Sequence, residues 1–172
     1  MFNFGANYGK AVAFEWFGEN KMIIGFSTGV VSMVSTKANE LGQELAVATI
    51  GNFVIESLNV NQDLNKIAVG SQGTVRFIQM TDWTECVAER IEITKSCGKI
   101  TKIHWTKDGS ILTVTTSNGY FLGFLTVIPN LFASYDTNVA LLSSLTEISV
   151  VDCAQNNMVI AKTELEIEPS FI

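Results

Sequence analysis

A threefold repeat is the feature of this sequence that most limits the folds open to it. Each repeat contains an apolar strand, a polar turn, a second strand, a Ser-x-Gly turn and a third strand, and the three segments read EWFGENKMIIGFSTGVVSMVS, NVNQDLNKIAVGSQGTVRFIQ and HWTKDGSILTVTTSNGYFLGFL. The glycines of the second turn, Gly29, Gly73 and Gly119, lie 44 and 46 residues apart. A period near 45 residues with about four strands per unit is typical of β-propeller blades.

The first of these turns also fits a serine hydrolase motif. Residues 25–29 read GFSTG, and a nucleophilic serine in that pattern must lie between a strand and a helix. The segment that follows, VVSMVST, favours a strand, because β-branched residues fit a pleated surface and serines compete for helical hydrogen bonds. Ser27, Ser71 and Ser117 recur at one place in the repeats, so we interpret them as turn residues that bind nearby backbone groups. A hydrolase using Ser27 and the only histidine, His104, is the weakest hypothesis.

Each third strand retains one half of the WD-repeat signature. The Trp-Asp pair of that signature lies five and six residues after the turn glycine, where this chain reads Val34-Ser35, Ile78-Gln79 and Phe124-Leu125. The first position stays apolar, as packing between blades requires, whereas the aspartate and its Gly-His partner are absent. We predict an all-β fold, a partial WD-repeat β-propeller with about three four-stranded antiparallel blades plus strands of a fourth.

The repeat also sets approximate blade boundaries. We predict one partial propeller over 1–172, with blades at 10–52, 53–98 and 99–150, and with 151–172 leading towards the next blade or a second propeller. Closure usually takes about 4 to 8 blades, so we expect this chain to be a fragment of a longer protein. Uncovered ends of a repeat stack tend to associate, which predicts self-association of the open fragment or a partner.

The composition narrows the functional classes. Apolar residues make up 47% of the chain and charged residues 16%, and the net charge is −6 without a basic cluster, which argues against nucleic-acid binding. The longest apolar run is interrupted by Gly123, Pro129 and Asn130, so we predict no transmembrane segment. Three distant cysteines and the lack of a secretory leader predict a cytoplasmic protein.

The residue spacing argues against a phosphate-binding loop, a metal site and a catalytic carboxylate pair. The run GSQG at 70–73 lacks the Gly-Lys-Ser/Thr end of a phosphate-binding loop. One histidine and three scattered cysteines do not have metal-ligand spacing, and Glu164, Glu166 and Glu168 alternate on what we interpret as a solvated strand face. We therefore predict no enzymatic activity, no cofactor and no metal.

Aromatic residues are the candidates for partner recognition. Trp83 lies in MTDWTECVAER, which we place in a connection between third and fourth strands, and Phe132 and Tyr135 lie in the long apolar loop IPNLFASYDTNVALL. Tryptophan is favoured at the centres of interfaces, although packing between blades would also bury it. We assign Trp16 and Trp105, which share a place in their units, to the core.

Four passages resemble one particular family. They are STKANELGQEL at 35–45, KIHWTKDGSILTVTTSNGYFLGFLTVIPNL at 102–131, ALLSSLTEISV at 140–150 and the closing EIEPSFI. In order and spacing they resemble the WD-repeat subunit of intraflagellar transport complex A. The resemblance implies the later blades of an N-terminal propeller, in a long protein with two propellers and a helical-repeat tail.

The same resemblance implies a function. It predicts a non-enzymatic interaction scaffold that binds other subunits of complex A, acts in retrograde transport and ciliary protein entry, and resides in the cytoplasm, the cilium and the ciliary base. The alternative hypothesis is a propeller that binds a small ligand or peptide in its central channel.

Overall fold

A computed structural model describes residues 4–128 and 130–172, so Pro129 lies outside the described residues. The chain divides into two compact units, Met1–Phe124 and Leu125–Ile172. The regular secondary structure of the described residues consists of short β-strands and single-turn 3₁₀ helices, and the all-β prediction is confirmed.

The first unit contains three sheets in its described part. The first sheet has the order β1 (Ala11–Phe17), β2 (Lys21–Phe26), β3 (Val30–Ser35) and β4 (Glu44–Thr49). The second has β5 (Ser57–Asn61), β6 (Lys66–Ser71) and β7 (Thr74–Gln79), and two short strands, β8 (Thr84–Glu85) and β9 (Ile91–Glu92), both pair with β7. The third has β10 (Ile100–Trp105), β11 (Ile111–Thr116) and β12 (Phe121–Leu125). Single 3₁₀ turns cover Ala6–Tyr8, Val87–Glu89 and Lys95–Cys97.

The second unit is built around one antiparallel sheet of consecutive strands. Its order is β13 (Phe132–Tyr135), β14 (Asn138–Ser144), β15 (Glu147–Asp152) and β16 (Met158–Glu164), and a 3₁₀ turn covers Cys153–Gln155. The side chain of Asp152 accepts a hydrogen bond from the amide of Ala154 and so caps that turn.

Two apolar layers hold the first unit together. Between the first and second sheets, Ile23 and Val31 pack against Ile67, Val69 and Ile78, and all five are fully buried. The second layer lies between the second and third sheets and is formed by Ala68, Val75, Phe77, Ile93, Cys97, Ile100, Ile103, Trp105, Leu112 and Val114. A β-sheet with two apolar faces needs a neighbour on each, and β6 is buried on both.

We define the upstream face of a sheet as the one that packs, or by its register would pack, on the sheet before it in sequence. The downstream face is the opposite one. In the second sheet the upstream pair Val60–Ile67 meets the first sheet, and in the third sheet the pair Trp105–Leu112 meets the second. The corresponding pair in the first sheet is Trp16–Met22.

The prediction that Trp16 is buried is wrong, although Trp105 is buried. Trp105 is 3% exposed, with its ring centroid 5.8 Å from that of Phe77 in the preceding sheet. Trp16 is 59% exposed. It belongs to the upstream face of the first sheet, which the described residues cover only in part, through Phe4 and Tyr8.

The structure also corrects the third blade boundary. The predicted blade 99–150 contains the third sheet together with β13, β14 and part of β15, which belong to another sheet and to the second compact unit. The third sheet has three strands among the described residues, and the next strand, β13, already belongs to the fourth sheet. The fourth sheet therefore begins at Phe132, before residue 151. The repeat period misplaced this boundary because it assumed a fourth strand in each unit.

Candidate interaction surfaces

The Ser-x-Gly turns place each glycine in the left-handed region. Gly29, Gly73 and Gly119 have φ of 77°, 76° and 82°. At Gly29 a Cβ atom would also collide with the carbonyl oxygen of Gly51, whereas at Gly119 it would meet open space. Position 29 therefore requires glycine for two reasons, which are the positive φ and the close approach of the Gly51 carbonyl oxygen.

The serines of these turns bind backbone just ahead of the first strand of their sheets. The amide of Lys10 donates to Ser27 Oγ at 2.9 Å, and the amide of Lys99 donates to Ser117 Oγ at 3.0 Å. Ser71 Oγ donates to the carbonyl oxygen of Val54 at 2.9 Å. All three hydroxyls therefore form hydrogen bonds that stabilise the start of a sheet.

Side chains next to and within β5 bind the backbone of β10. The amides of Ile100, Ile103 and Trp105 donate to Glu56 Oε2, Ser57 Oγ and Asn59 Oδ1 at 3.0, 3.0 and 2.9 Å. These side chains satisfy amide groups that would otherwise be left at a strand edge. This ladder was not predicted from the sequence, where its signal is the alternation of Ser57, Asn59 and Asn61 with apolar residues in the segment SLNVN.

A polar groove follows β1, β5 and β10. Two adjoining cavities of about 430 and 390 Å³ share Glu15, Asn59 and His104 as lining residues. Asn59 Nδ2 lies 3.5 Å from Glu15 Oε2, and Lys102 and Asp63 contribute charges of opposite sign. The groove offers hydrogen-bonding groups to a polar ligand. Some of these groups already bind within the protein, since Asn59 contacts Glu15 and accepts from the Trp105 amide.

The described residues contain neither a candidate metal cluster nor a candidate membrane-spanning helix. Within 4–128 and 130–172 no group of three His, Cys, Asp or Glu side chains could hold a metal ion. Nor does this part of the chain contain a helix long and apolar enough to cross a membrane.

The structure places Trp83 against the fold. It lies at φ 58° in the turn between β7 and β8, is half-buried, and packs on the apolar layer between the first two sheets. The preceding Asp82 accepts hydrogen bonds from the hydroxyl and amide of Thr84, which hold the pKa of its carboxyl below the ordinary value. Trp83 is therefore only partly available to a partner.

An ion-pair cluster lies at β7, β8 and the segment before β9 in the second sheet. Glu85 Oε1 accepts from Arg90 Nε at 2.8 Å and from Arg76 Nη1 at 3.2 Å, and the guanidinium of Arg76 lies 4.7 Å from the ring centre of Phe53. Burial raises the pKa of Glu85, but the hydrogen bonds from both arginines outweigh it and the pKa is lowered. The cluster links β7 with β8 and the segment that follows.

Phe132 and Tyr135 are the more accessible of the predicted contact residues. Both lie on β13, Phe132 at its first position and Tyr135 at its last, and they are 69% and 84% exposed. Successive side chains of a strand point to opposite faces, so these two residues, three positions apart, face opposite sides of the sheet. Phe132 pairs with Leu141, and Tyr135 pairs with Asn138. Each side of the fourth sheet therefore presents one exposed ring.

The upstream face of the first sheet is a further apolar surface. Val12, Phe14 and Trp16 alternate along β1 and are 42, 63 and 59% exposed. Phe14 lies opposite Ile24, and Trp16 opposite Met22. Large clustered apolar side chains at a surface are typical of an interaction site.

Comparison with known families matches residues 1–119 to the family described as the WDR19 first β-propeller. The chain belongs to this family. The predicted resemblance and the partial WD-repeat propeller are thereby confirmed, and the family consists of WD-repeat propellers.

Three WDR19-family relatives align along nearly the whole chain. WD repeat-containing protein 19 from Homo sapiens is 30% identical over 98% of this chain, and its counterpart from Mus musculus is 30% identical over 96%. WD repeat-containing protein dyf-2 from Caenorhabditis elegans is 28% identical over 98%. The chain spans 12% of the length of each of these relatives.

Solved structures share the fold at low sequence identity. A chain of a mitotic checkpoint complex has a TM-score of 0.56 at 10% identity, covering 90% of this chain and 51% of its own length. The β-propeller domain of Myceliophteria thermophila Cps50 (Swd1) gives 0.51 at 8% identity, covering 93% and 56%. A computationally designed protein, Ika8, gives 0.50 at 14%, covering 91% and 50%. Each match therefore takes in about half of the solved chain.

Proposed function

We propose that this WDR19-family segment is part of a non-enzymatic protein-interaction scaffold in intraflagellar transport complex A. Its role is in retrograde transport and ciliary protein entry, in the cytoplasm, the cilium and the ciliary base. The observation that carries the proposal is the exposure of four aromatic rings, those of Phe14 and Trp16 on one face of β1 and those of Phe132 and Tyr135 on opposite sides of β13. The family and the names of the relatives support the ciliary assignment.

The scaffold works by presenting rigid apolar anchors. Short turns, such as the one at Gly29, and ladders, such as that from Ser57 and Asn59, fix the sheets. A fixed aromatic side chain loses little entropy on binding, and a few such anchors supply most of the affinity of an interface. Partners are the other subunits of complex A, without nucleic acid and without a cofactor.

The test is purification from ciliated cells of the full-length protein that contains this segment. We expect the other complex A subunits to co-purify with the wild type and to be depleted by the double substitution Phe132→Glu and Tyr135→Glu. Leu41→Glu is the matched control, because Leu41 lies in the loop between β3 and β4 and is 59% exposed. A folded, soluble wild type that recovers none of the subunits would contradict the proposal.

The polar groove supports a second candidate, the binding of a small ligand or peptide in the propeller channel. His104 is exposed in that groove and Glu15 lines both of its cavities. We expect peptides that bind the full-length protein to lose affinity on His104→Ala and Glu15→Gln if this candidate holds. Binding that is unchanged in both variants would place the peptide elsewhere.

A further inference from the structure

The net charge of the chain is concentrated in its second unit. Residues 125–172 contain six Asp and Glu side chains and one lysine, a net charge of −5, whereas residues 1–124 contain eleven acidic and ten basic side chains, a net charge of −1. The lysine, Lys162, already forms an ion pair with Glu147, whose Oε1 lies 3.0 Å from its Nζ. A surface with this charge attracts cationic partners and repels anionic ones.

The outer strand of the fourth sheet is exposed along its whole length. β16 pairs with β15 along one edge, and no strand among the described residues pairs with its other edge. All seven of its residues are exposed, and the apolar side chains at its start, Met158, Val159 and Ile160, are 51, 49 and 46% exposed. Backbone N–H and C=O groups of an antiparallel strand point alternately to its two edges, so the free edge of β16 can pair with a further strand.

The first sheet shows that such an edge stays open when the following sheet is in place. There the outer strand is β4, and the chain continues from it to β5, the first strand of the second sheet. The second sheet covers the downstream face of the first, yet no described strand pairs with the outer edge of β4. Neighbouring sheets of this fold therefore cover one another by their faces and leave the outer edge of a fourth strand accessible.

Three exposed carboxylates lie at the C-terminal end of β16. We call them the acidic end, and they belong to Glu164, the last residue of the strand, and to Glu166 and Glu168. The outer strand of the first sheet is different, because Glu44 is its one acidic residue and the Oε2 atom of Glu44 accepts hydrogen bonds from the hydroxyls of Tyr8 and Ser32. The edge of β16 thus combines an apolar start with an acidic end.

The regular part of β16 adjoins this acidic end. Residues 161–164 pair without interruption with residues 147–150 of β15, whereas a bulge interrupts the register nearer the start of the strand. A lysine on an edge strand often discourages the addition of another strand. Here Lys162 is bound to Glu147 of the neighbouring strand. Its charge is compensated within the sheet, and the acidic end sets the sign of the edge.

We propose that the outer edge of β16 binds an extended basic segment of a partner protein, which adds to the fourth sheet as an antiparallel strand. In strand addition, main-chain hydrogen bonds supply the affinity and side chains at alternate positions supply the specificity. The N-terminal half of an antiparallel partner lies beside Glu164 and its C-terminal half beside Met158. The matching segment therefore begins with lysine or arginine at alternate positions and ends with apolar residues. The inference deepens the proposed scaffold function, on which it rests, by giving the chemistry of one partner.

The test is a fluorescence titration of the full-length protein that contains this segment with the dye-labelled peptide KTKTKTVTV. We expect saturable binding with a Kd below about 100 μM at low salt, and binding about tenfold weaker at high salt, because salt screens exposed charges. The acidic peptide ETETETVTV should not bind. The reversed peptide VTVTKTKTK should bind about tenfold more weakly than KTKTKTVTV, because it places its lysines beside the apolar start of β16.

Charge variants of the protein locate the site. The test variant replaces the acidic end by Glu164→Gln, Glu166→Gln and Glu168→Gln. It should bind KTKTKTVTV about tenfold more weakly, since three exposed ion pairs are lost and each contributes little. The control variant neutralises three exposed carboxylates of the first unit, by Glu19→Gln, Asp82→Asn and Asp108→Asn. Both variants change the net charge equally, so the control should keep the wild-type affinity if the site is local.

N-methylated peptides show whether the probe adds as a strand. Alternate residues of a strand point their N–H groups to the same edge. Methyl groups on the threonine nitrogens therefore block one edge of KTKTKTVTV, and methyl groups on the remaining nitrogens block the other. We expect one of these two peptides to lose binding and the other to retain it. Hydrogen–deuterium exchange should show that the unmodified peptide protects the amides of β16 and not those of β13.

Four results would overturn the proposal. They are a KTKTKTVTV peptide that does not bind at about 1 mM, equal affinities of the two charge variants, retention of binding by both methylated peptides, and tighter binding of the reversed peptide. The titration needs no ciliary protein, whereas the purification depends on the complex A subunits, so failure of one proposal can be told from failure of the other.

Discussion

The two compact units use the same kind of sheet but bury very different amounts of it. In the first unit β6 is buried on both faces, with Ile67, Ala68 and Val69 at 0% exposure. Among the described residues of the second unit only Leu142 and Ser149 are buried, and every residue of β16 is exposed. Propeller sheets are stabilised by the sheets beside them, so strand pairing alone does not give the second unit a core.

The largest difference should appear when apolar side chains are truncated in the two units. Leu112→Ala leaves a cavity at a fully buried site and should lower the free energy of unfolding by about 2–5 kcal/mol. Ile160→Ala on β16, where the side chain is 46% exposed, should change it by less than about 0.5 kcal/mol. Urea unfolding followed by circular dichroism measures both, and equal losses would refute the contrast.

The next effect concerns the recurrent turns. Gly29→Ala places a Cβ both at φ 77° and against the carbonyl of Gly51, and should cost about 2–3 kcal/mol. Gly119→Ala, at φ 82° in open space, should cost only about 1 kcal/mol. If the two variants unfold at the same urea concentration, close approach does not matter at Gly29.

The side-chain ladder should have an intermediate effect. Asn59→Leu removes the Oδ1 atom that accepts from the Trp105 amide and should cost about 1–3 kcal/mol, because a hydrogen bond is lost in a buried place. Thr101→Val removes an exposed hydrogen bond between the hydroxyls of Thr101 and Thr115 and is the control, with a change below about 0.5 kcal/mol. A negligible loss in Asn59→Leu would mean that water replaces the side chain.

The smallest effects should come from the charged clusters. The pKa of Glu85 is lowered in the folded protein, so its contribution is present above the ordinary value of 4.5 and is lost as the pH falls through the folded pKa. Glu85→Gln should lower stability by about 0.5–1 kcal/mol near pH 7 and flatten the acid dependence below pH 4.5. The pKa of Glu147, in the second unit, is lowered by hydrogen bonds from Ser143 and Lys162, and Glu147→Gln should have the smaller effect. Unfolding curves measured between pH 3 and 7 test this order. A larger loss of stability in Glu147→Gln than in Glu85→Gln would contradict it.

Local patterns predicted much of the fold. The spacing of Gly29, Gly73 and Gly119 and the apolar positions after them predicted the sheets, because turn conformation and alternation are set by neighbouring residues. The burial of Trp16 was predicted wrongly, because burial depends on what covers a strand, and that is not encoded in the strand itself. The ladder from Glu56, Ser57 and Asn59 was missed for a related reason, since it joins residues 44 to 46 positions apart.

Hydrogen–deuterium exchange of the 172-residue chain tests most directly whether the sheets depend on their neighbours for stability. We expect the amides of β6 and β7 to be protected. Those of β1, β14 and β15 should exchange fast in dilute protein. Amides of β14 and β15 that are as protected as those of β6 in dilute protein would contradict the account, because the second unit would then be stable without a covering surface.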